Sequence, residues 1–158
     1  MSERQSHADT IVNQYATYSA GAGFIPMPLI DMAAITGLQL KMIRDMSKVY
    51  EIPFRKERAK SIVSALVGGV GSTALAYGAG GAVLRSVPFL GPVLGILSMP
   101  AFGYAATYAV GRVFVQHFES GGTFLDFDPA KVRAYFNEQY ERARGRSAAP
   151  GTAAAASA

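Results

Sequence analysis

The sequence predicts an all-α, membrane-embedded protein built as a helical hairpin flanked by amphipathic helices. Three observations predict it. Residues 61–84 and 86–111 form two nearly uncharged runs, separated only by Arg85 and closed by Lys60 and Arg112. At about 1.5 Å per residue, either run is long enough to cross a hydrocarbon core about 30 Å thick. The runs are rich in Gly, which costs roughly 1 kcal/mol relative to Ala in a water-exposed helix and is commoner in membrane helices than in soluble ones. The short connection around Arg85 predicts that the two runs pair antiparallel. A buried, soluble hairpin of the same two helices stays open as the alternative, because the runs are Ala/Gly-rich rather than Leu-rich.

The chain of 158 residues is half hydrophobic and only 16 % charged, below the usual share of about 25 %. The absence of Cys excludes disulfides and thiolate metal sites, and the absence of Trp leaves Tyr77, Tyr104 and Tyr108 as interfacial aromatics. A net charge of +4 suits an anionic membrane surface, with no nucleic-acid partner expected. The polar start, Ser2-Glu3-Arg4-Gln5, predicts no cleavable signal peptide.

In chain order, residues 3–20 read as an amphipathic helix with Ala8, Ile11, Val12, Tyr15 and Tyr18 or Ser19 on one face. Ser6 and Asp9 resemble its capping box, and Gly21 and Gly23 end it. Pro26 and Pro28 then impose an extended entry, and Pro28 suits the first turn of the next helix, where Asp31 complements the macrodipole. That helix runs to Tyr50 on a stripe of Ile35, Leu38, Met42, Met46 and Val49, and Ile52-Pro53 breaks it. In the second run Pro88 and Pro92 make the crossover, and Pro100 is expected to kink the helix. Gly121-Gly122 stops it, and Phe124-Leu125-Asp126-Phe127 reads as a linker. Asp128-Pro129 starts a last helix with Val132, Phe136, Tyr140 and Ala143 inward and Arg142, Arg144 and Arg146 near its end. The chain divides into N-terminal amphipathic helices (1–52), a basic segment with the apolar hairpin (53–122), a C-terminal helix (123–146) and a disordered tail (147–158).

Two sets of residues carry the expected interactions. Ser64, Gly68, Ser72, Ala76 and Gly80 recur every four residues, as do Gly103, Thr107 and Gly111. Such faces let helix backbones approach closely in lipid, so one ladder serves the hairpin and the other a neighbouring copy. Arg55, Lys56, Arg58 and Lys60 abut the first run and are expected at the membrane surface. No catalytic, cofactor or metal residues emerge. Gly69-Val70-Gly71-Ser72-Thr73-Ala74 matches a dinucleotide pattern formally, yet the acidic residue required about 20 positions on is missing. His7 and His117 stand in no ligand-spaced motif.

Ile25-Pro26-Met27-Pro28-Leu29-Ile30-Asp31, Leu38-Gln39-Leu40-Lys41-Met42, Ser47-Lys48-Val49-Tyr50-Glu51-Ile52-Pro53 and Ala59-Lys60 before a Gly-rich run resemble the YcjF-like family. Ala106-Thr107-Tyr108-Ala109-Val110-Gly111 leading to Phe118-Glu119-Ser120-Gly121-Gly122 does the same. The resemblance covers roughly residues 10–122 and implies a bacterial membrane-associated protein of unknown biochemical function. Members also occur fused behind Era-like GTPase domains, which implies by analogy a GTPase partner in trans. The expected function is a non-enzymatic membrane scaffold that self-associates and organises or shapes the bilayer. A GTPase adaptor, a small channel or transporter subunit, and a soluble helical binding module are the alternatives. Of the 15 Lys and Arg, eight precede the hairpin and six follow it. The positive-inside rule therefore places both termini in the cytoplasm, with the hairpin in the inner membrane.

Overall fold

The computed structural model describes the backbone of residues 2–22, 28–85 and 90–147, and the side chains of residues 2–22, 33–70 and 100–146. Five α-helices make up the described chain, without a strand among the described residues: α1 (Glu3–Ala22), α2 (Pro28–Val49), α3 (Lys56–Arg85), α4 (Leu90–Glu119) and α5 (Pro129–Ser147). The side chains of Asp31, Ser72, Ala76, Tyr77 and Gly80, the Pro88 and Pro92 crossover and the tail 148–158 lie outside the described residues.

Successive helices run in opposite directions, so α1, α3 and α5 point one way and α2 and α4 the other. Side-chain pairs fix this sense. Ser2 meets Glu119, Asp9 meets Arg112, and Ser19 meets Thr107, so α1 lies antiparallel along α4. The α4 helix is central and touches all the others. It supplies Ala105, Ala106, Ala109, Val110, Val113, Phe114, Val115 and Phe118 to one continuous core. Ala8, Ile11, Val12 and Tyr15 of α1, Met42, Ile43 and Met46 of α2, and Ile62, Val63 and Leu66 of α3 close around it.

Local signals explain the boundaries. The first helix is capped by Ser2, whose hydroxyl accepts a hydrogen bond from the Gln5 amide at 3.1 Å. Ser2 and Gln5 have the capping-box spacing, whereas Ser6 and Asp9 lie one turn inside the helix. That corrects the expected cap: Asp9 is used sideways, toward Arg112. Asp128 caps α5 as expected, accepting from the Ala130 amide at 3.0 Å. The helix α4 runs unbroken through the buried Pro100. The presumed linker after α4 is instead a plug. Phe124 and Phe127 pack on Phe114 with ring centroids 5.9 and 4.9 Å apart, and Phe54 meets Phe124 edge-on at 5.8 Å. Asp126 ties this turn by accepting from both the amide and the hydroxyl of Thr123 at 2.6 Å.

Two helices end in the same way at different cost. The Gly122 amide donates to the His117 carbonyl and the Gly121 amide to the Phe118 carbonyl, with Gly121 at φ 84°. The Ile52 amide donates to Ser47 and the Glu51 amide to Lys48, with Glu51 at φ 57°. Both are Schellman ends, which favour glycine at the left-handed position. Glu51 gains only an exposed ion pair with Arg4 at 3.5 Å. Glu51→Gly is therefore expected to raise stability by about 1 kcal/mol. A lower urea midpoint at unchanged m value would show that the Arg4 pair outweighs the strain.

The expected membrane-spanning runs need correction where they are described. Among the described residues no helix is long and apolar enough to cross a membrane. Residues 61–70 and 100–111 owe their apolarity to the bundle core: Ile62, Val63, Leu66 and Val70 on one side, and Ala105, Ala106, Ala109 and Val110 on the other, are buried against neighbouring helices. What looks like one continuous hydrophobic hairpin in the sequence is core-forming at residues 61–70 and 100–111, and residues 71–99 between them contain one charged residue, Arg85.

Candidate membrane-facing end of the bundle

The alternation of helix direction brings like segments together. At one end lie the beginnings of α1, α3 and α5 and the ends of α2 and α4. Much of the charge sits there, including Glu3, Arg4, Lys48, Glu51, Lys56, Glu57, Arg58, Glu119 and Lys131. Toward the other end the described parts of the first four helices, residues 18–22, 33–40, 61–70 and 100–111, contain no charged residue. Beyond them α3 continues as helix to Arg85 and α4 begins at Leu90.

A belt of aromatic and basic side chains marks the level at which charge runs out. The rings of Tyr104 and Tyr108 stack with centroids 6.2 Å apart, and Phe102 meets Tyr140 edge-on at 6.2 Å. Burial raises the Tyr104 and Tyr140 pKa values above the usual tyrosine range, while the nearby positive charges of Arg146 and Arg144 respectively oppose it. Rings with one apolar and one polar edge, beside arginines, are the composition of a water–lipid boundary.

The small-residue ladders take two different roles. Gly103, Thr107 and Gly111 are buried, and their face is filled by α1 of the same chain. A Cβ at Gly103 would lie 2.5 Å from the Ser19 carbonyl oxygen, and one at Gly111 would lie 2.6 Å from both methyls of Val12. Thr107 Oγ1 donates to Ser19 Oγ at 2.8 Å and accepts from Gln39 Nε2 at 3.2 Å, forming a wholly buried polar triad. Ser64 and Gly68 face outward, and nothing lies within 4 Å of a Cβ built at Gly68. Arg55, Lys56, Arg58 and Lys60 are exposed around the start of α3, at the charged end; Arg58 donates to the Leu125 carbonyl at 3.3 Å. From Lys56 to Val70 the helix rises about 21 Å, so this cluster stands well away from residues 71–99.

The triad escaped sequence reasoning because Ser19 and Gln39 are single polar residues with no motif. Gln39 did leave a trace, as one of two polar side chains, with Thr36, in the uncharged stretch Met32–Leu40 of α2. Arg112 appears in the sequence as the residue that closes an apolar run, but it makes a half-buried ion pair with Asp9. Tyr15 donates to Asp45 at 2.6 Å, and its pKa is pushed up to about 12, first by burial and then by this bond. These contacts tie helices together. A groove is lined by Glu3, Ser6, His7, Thr10 and Lys48 among others, and in it the Thr10 hydroxyl donates to the Ser6 carbonyl at 3.0 Å. Among the described residues no group of three His, Asp or Glu side chains is placed to hold a metal.

The family model described as "Domain of unknown function (DUF697)" matches residues 1–145. A curated protein, "Magnetosome membrane protein 22" of Magnetospirillum gryphiswaldense, is 37% identical over 145 residues, which cover 89% of this chain and 72% of that protein. No solved structure matches the chain.

Proposed function

The chain belongs to the DUF697 family of domains of unknown function, and from that premise we propose that it is a non-enzymatic, membrane-associated helical module. The observation that carries this reading is the segregation of charge. One end of the bundle is densely charged, and toward the other residues 18–22, 33–40, 61–70 and 100–111 carry no charge, leaving Asp31 at the start of α2 and the Glu138, Glu141, Arg142, Arg144 and Arg146 group of α5 as the charges before residues 71–99 begin. The relative at 37% identity is named as a membrane protein of magnetosomes, which supports the same reading.

The bundle also argues for the mode of association. Residues 61–70 and 100–111 are committed to the core, which leaves 71–85 and 90–99 as the helical parts of the hairpin available to lipid. At about 1.5 Å per residue these reach roughly 22 and 15 Å, short of a core about 30 Å thick. The hairpin therefore enters the bilayer without crossing it and returns, and both termini stay on the same side, in this reading the cytoplasmic face of the inner membrane. The outward face at Ser64 and Gly68 is the surface for self-association, and the charged end is left for a soluble partner, such as the GTPase implied by the YcjF-like resemblance.

Vesicle flotation of the full chain tests the reading. Wild type is expected to float with phosphatidylcholine vesicles and to stay bound through a salt wash. Ile96→Asp, inside the uncharged segment, is expected to weaken binding by about 2–3 kcal/mol, the cost of a carboxylate in hydrocarbon. Wild type that remains at the bottom of the gradient would overturn the proposal.

A further inference from the structure

We propose that the last turns of α5 bind anionic phospholipid headgroups at the rim of the membrane-facing end, through Arg142, Arg144 and Arg146. The inference rests on the membrane-associated reading and adds a lipid class to it. These arginines are exposed and outnumber the neighbouring Glu138 and Glu141 by three to two, a positive excess set beside residues 18–22, 33–40, 61–70 and 100–111, which carry no charge. Arg142 pairs with Glu138 at 2.6 Å and Arg144 with Glu141 at 3.6 Å. All four side chains are more than half exposed, so both pairs are weak and readily exchanged for a phosphate. A guanidinium matches phosphate oxygens with two parallel N–H donors. Phe102, Tyr104 and Tyr140 stand beside these arginines, at the depth where headgroups meet acyl chains.

The same geometry selects the lipid surface over other anions. An acidic protein or a nucleic acid approaching the arginines would also meet the apolar helical segments 71–84 and 90–99, whereas a bilayer accepts both features at once. The cluster Arg55, Lys56, Arg58 and Lys60, more obvious in the sequence, lies at the opposite end of the bundle. Its residues in α3 stand about 15–21 Å along the helix from Val70, beyond one Debye length at 0.1 M salt.

The test compares two charge-matched triple variants of the full chain in vesicle flotation. One is Arg142→Gln, Arg144→Gln and Arg146→Gln; the other is Arg55→Gln, Lys56→Gln and Lys60→Gln. Vesicles are phosphatidylcholine alone or phosphatidylcholine mixed with phosphatidylglycerol. Each basic residue close to an anionic surface strengthens binding about fivefold, so the α5 variant is expected to bind the mixed vesicles about 100-fold more weakly. It should bind neutral vesicles as wild type does, and the α3 variant should keep the preference for phosphatidylglycerol. Arg142→Lys, Arg144→Lys and Arg146→Lys, which retains the charge, should preserve most of the preference and controls for a folding defect. Equal losses in both Gln variants would reduce the effect to overall charge and overturn the site. A wild type that binds both vesicles equally would overturn it and leave the membrane-associated reading standing. Failure to bind either vesicle would overturn both. Displacement by inorganic phosphate at matched ionic strength, or equally tight binding to duplex DNA, would also overturn the assignment to lipid.

Discussion

Gly103→Leu is expected to unfold the bundle, while Gly68→Leu leaves it standing. Both glycines belong to small-residue ladders, and nothing in the sequence assigns one inward and the other outward. At Gly103 even a methyl group would sit 2.5 Å from the Ser19 carbonyl oxygen and 3.2 Å from the Ile35 Cδ1. The first of these neighbours is backbone and cannot rotate away, so α1 must separate from α4. Overpacking a core by a few methylenes costs about 1–3 kcal/mol. A leucine against fixed backbone goes past that range, into a total stability of only about 5–15 kcal/mol. Gly103→Ala should itself lower the urea midpoint, by an amount equivalent to about 1–3 kcal/mol. Gly68 has open space around it, and its replacement is expected to change stability by less than about 1 kcal/mol in either direction. Circular dichroism during urea titration checks both. Equal stability of Gly103→Leu and wild type would mean that α1 does not pack on α4 as described here.

Thr107→Val is expected to destabilise the protein by about 2–3 kcal/mol, although valine has nearly the shape of threonine. The hydroxyl it removes is the link between Ser19 and Gln39, and all three residues are buried. Without it the Gln39 amide loses its acceptor, and an unsatisfied buried polar group costs about 1–3 kcal/mol. Replacing both partners by apolar groups of similar shape can be nearly neutral. Thr107→Val combined with Gln39→Leu should therefore be more stable than the sum of the single changes predicts, by at least about 1 kcal/mol in a double-mutant cycle. Additive losses would show that the triad is not a unit.

Much of the local structure was readable from periodicity. The inward stripes of α1 and α5, the Asp128-Pro129 start and the glycine stop after α4 are consequences of neighbouring residues, and local chemistry is sufficient to produce them. The charge-poor character of 71–99, on which the candidate membrane-facing end depends, is likewise a property of the linear chain. Other features were not readable. Ser2 rather than Ser6 caps α1 because two overlapping signals compete within the first ten residues. Phe124 and Phe127 become a plug only because the preceding Gly121 turn folds them back under Phe114.

The largest revision concerns the apolar hairpin. Hydrophobic length in a sequence does not distinguish a residue buried by protein from one buried by lipid, since both environments exclude water. Only the arrangement of α1, α2 and α5 around α4 shows that residues 61–70 and 100–111 are buried by protein. The same arrangement assigns Gly103, Thr107 and Gly111 to the fold, leaves Ser64 and Gly68 facing outward, and puts the α5 arginines rather than Arg55–Lys60 beside the uncharged end. Helix type, boundaries and charge pattern follow from residues close in sequence. Which face meets which neighbour depends on contacts between residues far apart, such as Ser19 with Thr107 and Asp9 with Arg112, and that pairing exists only once the five helices have packed.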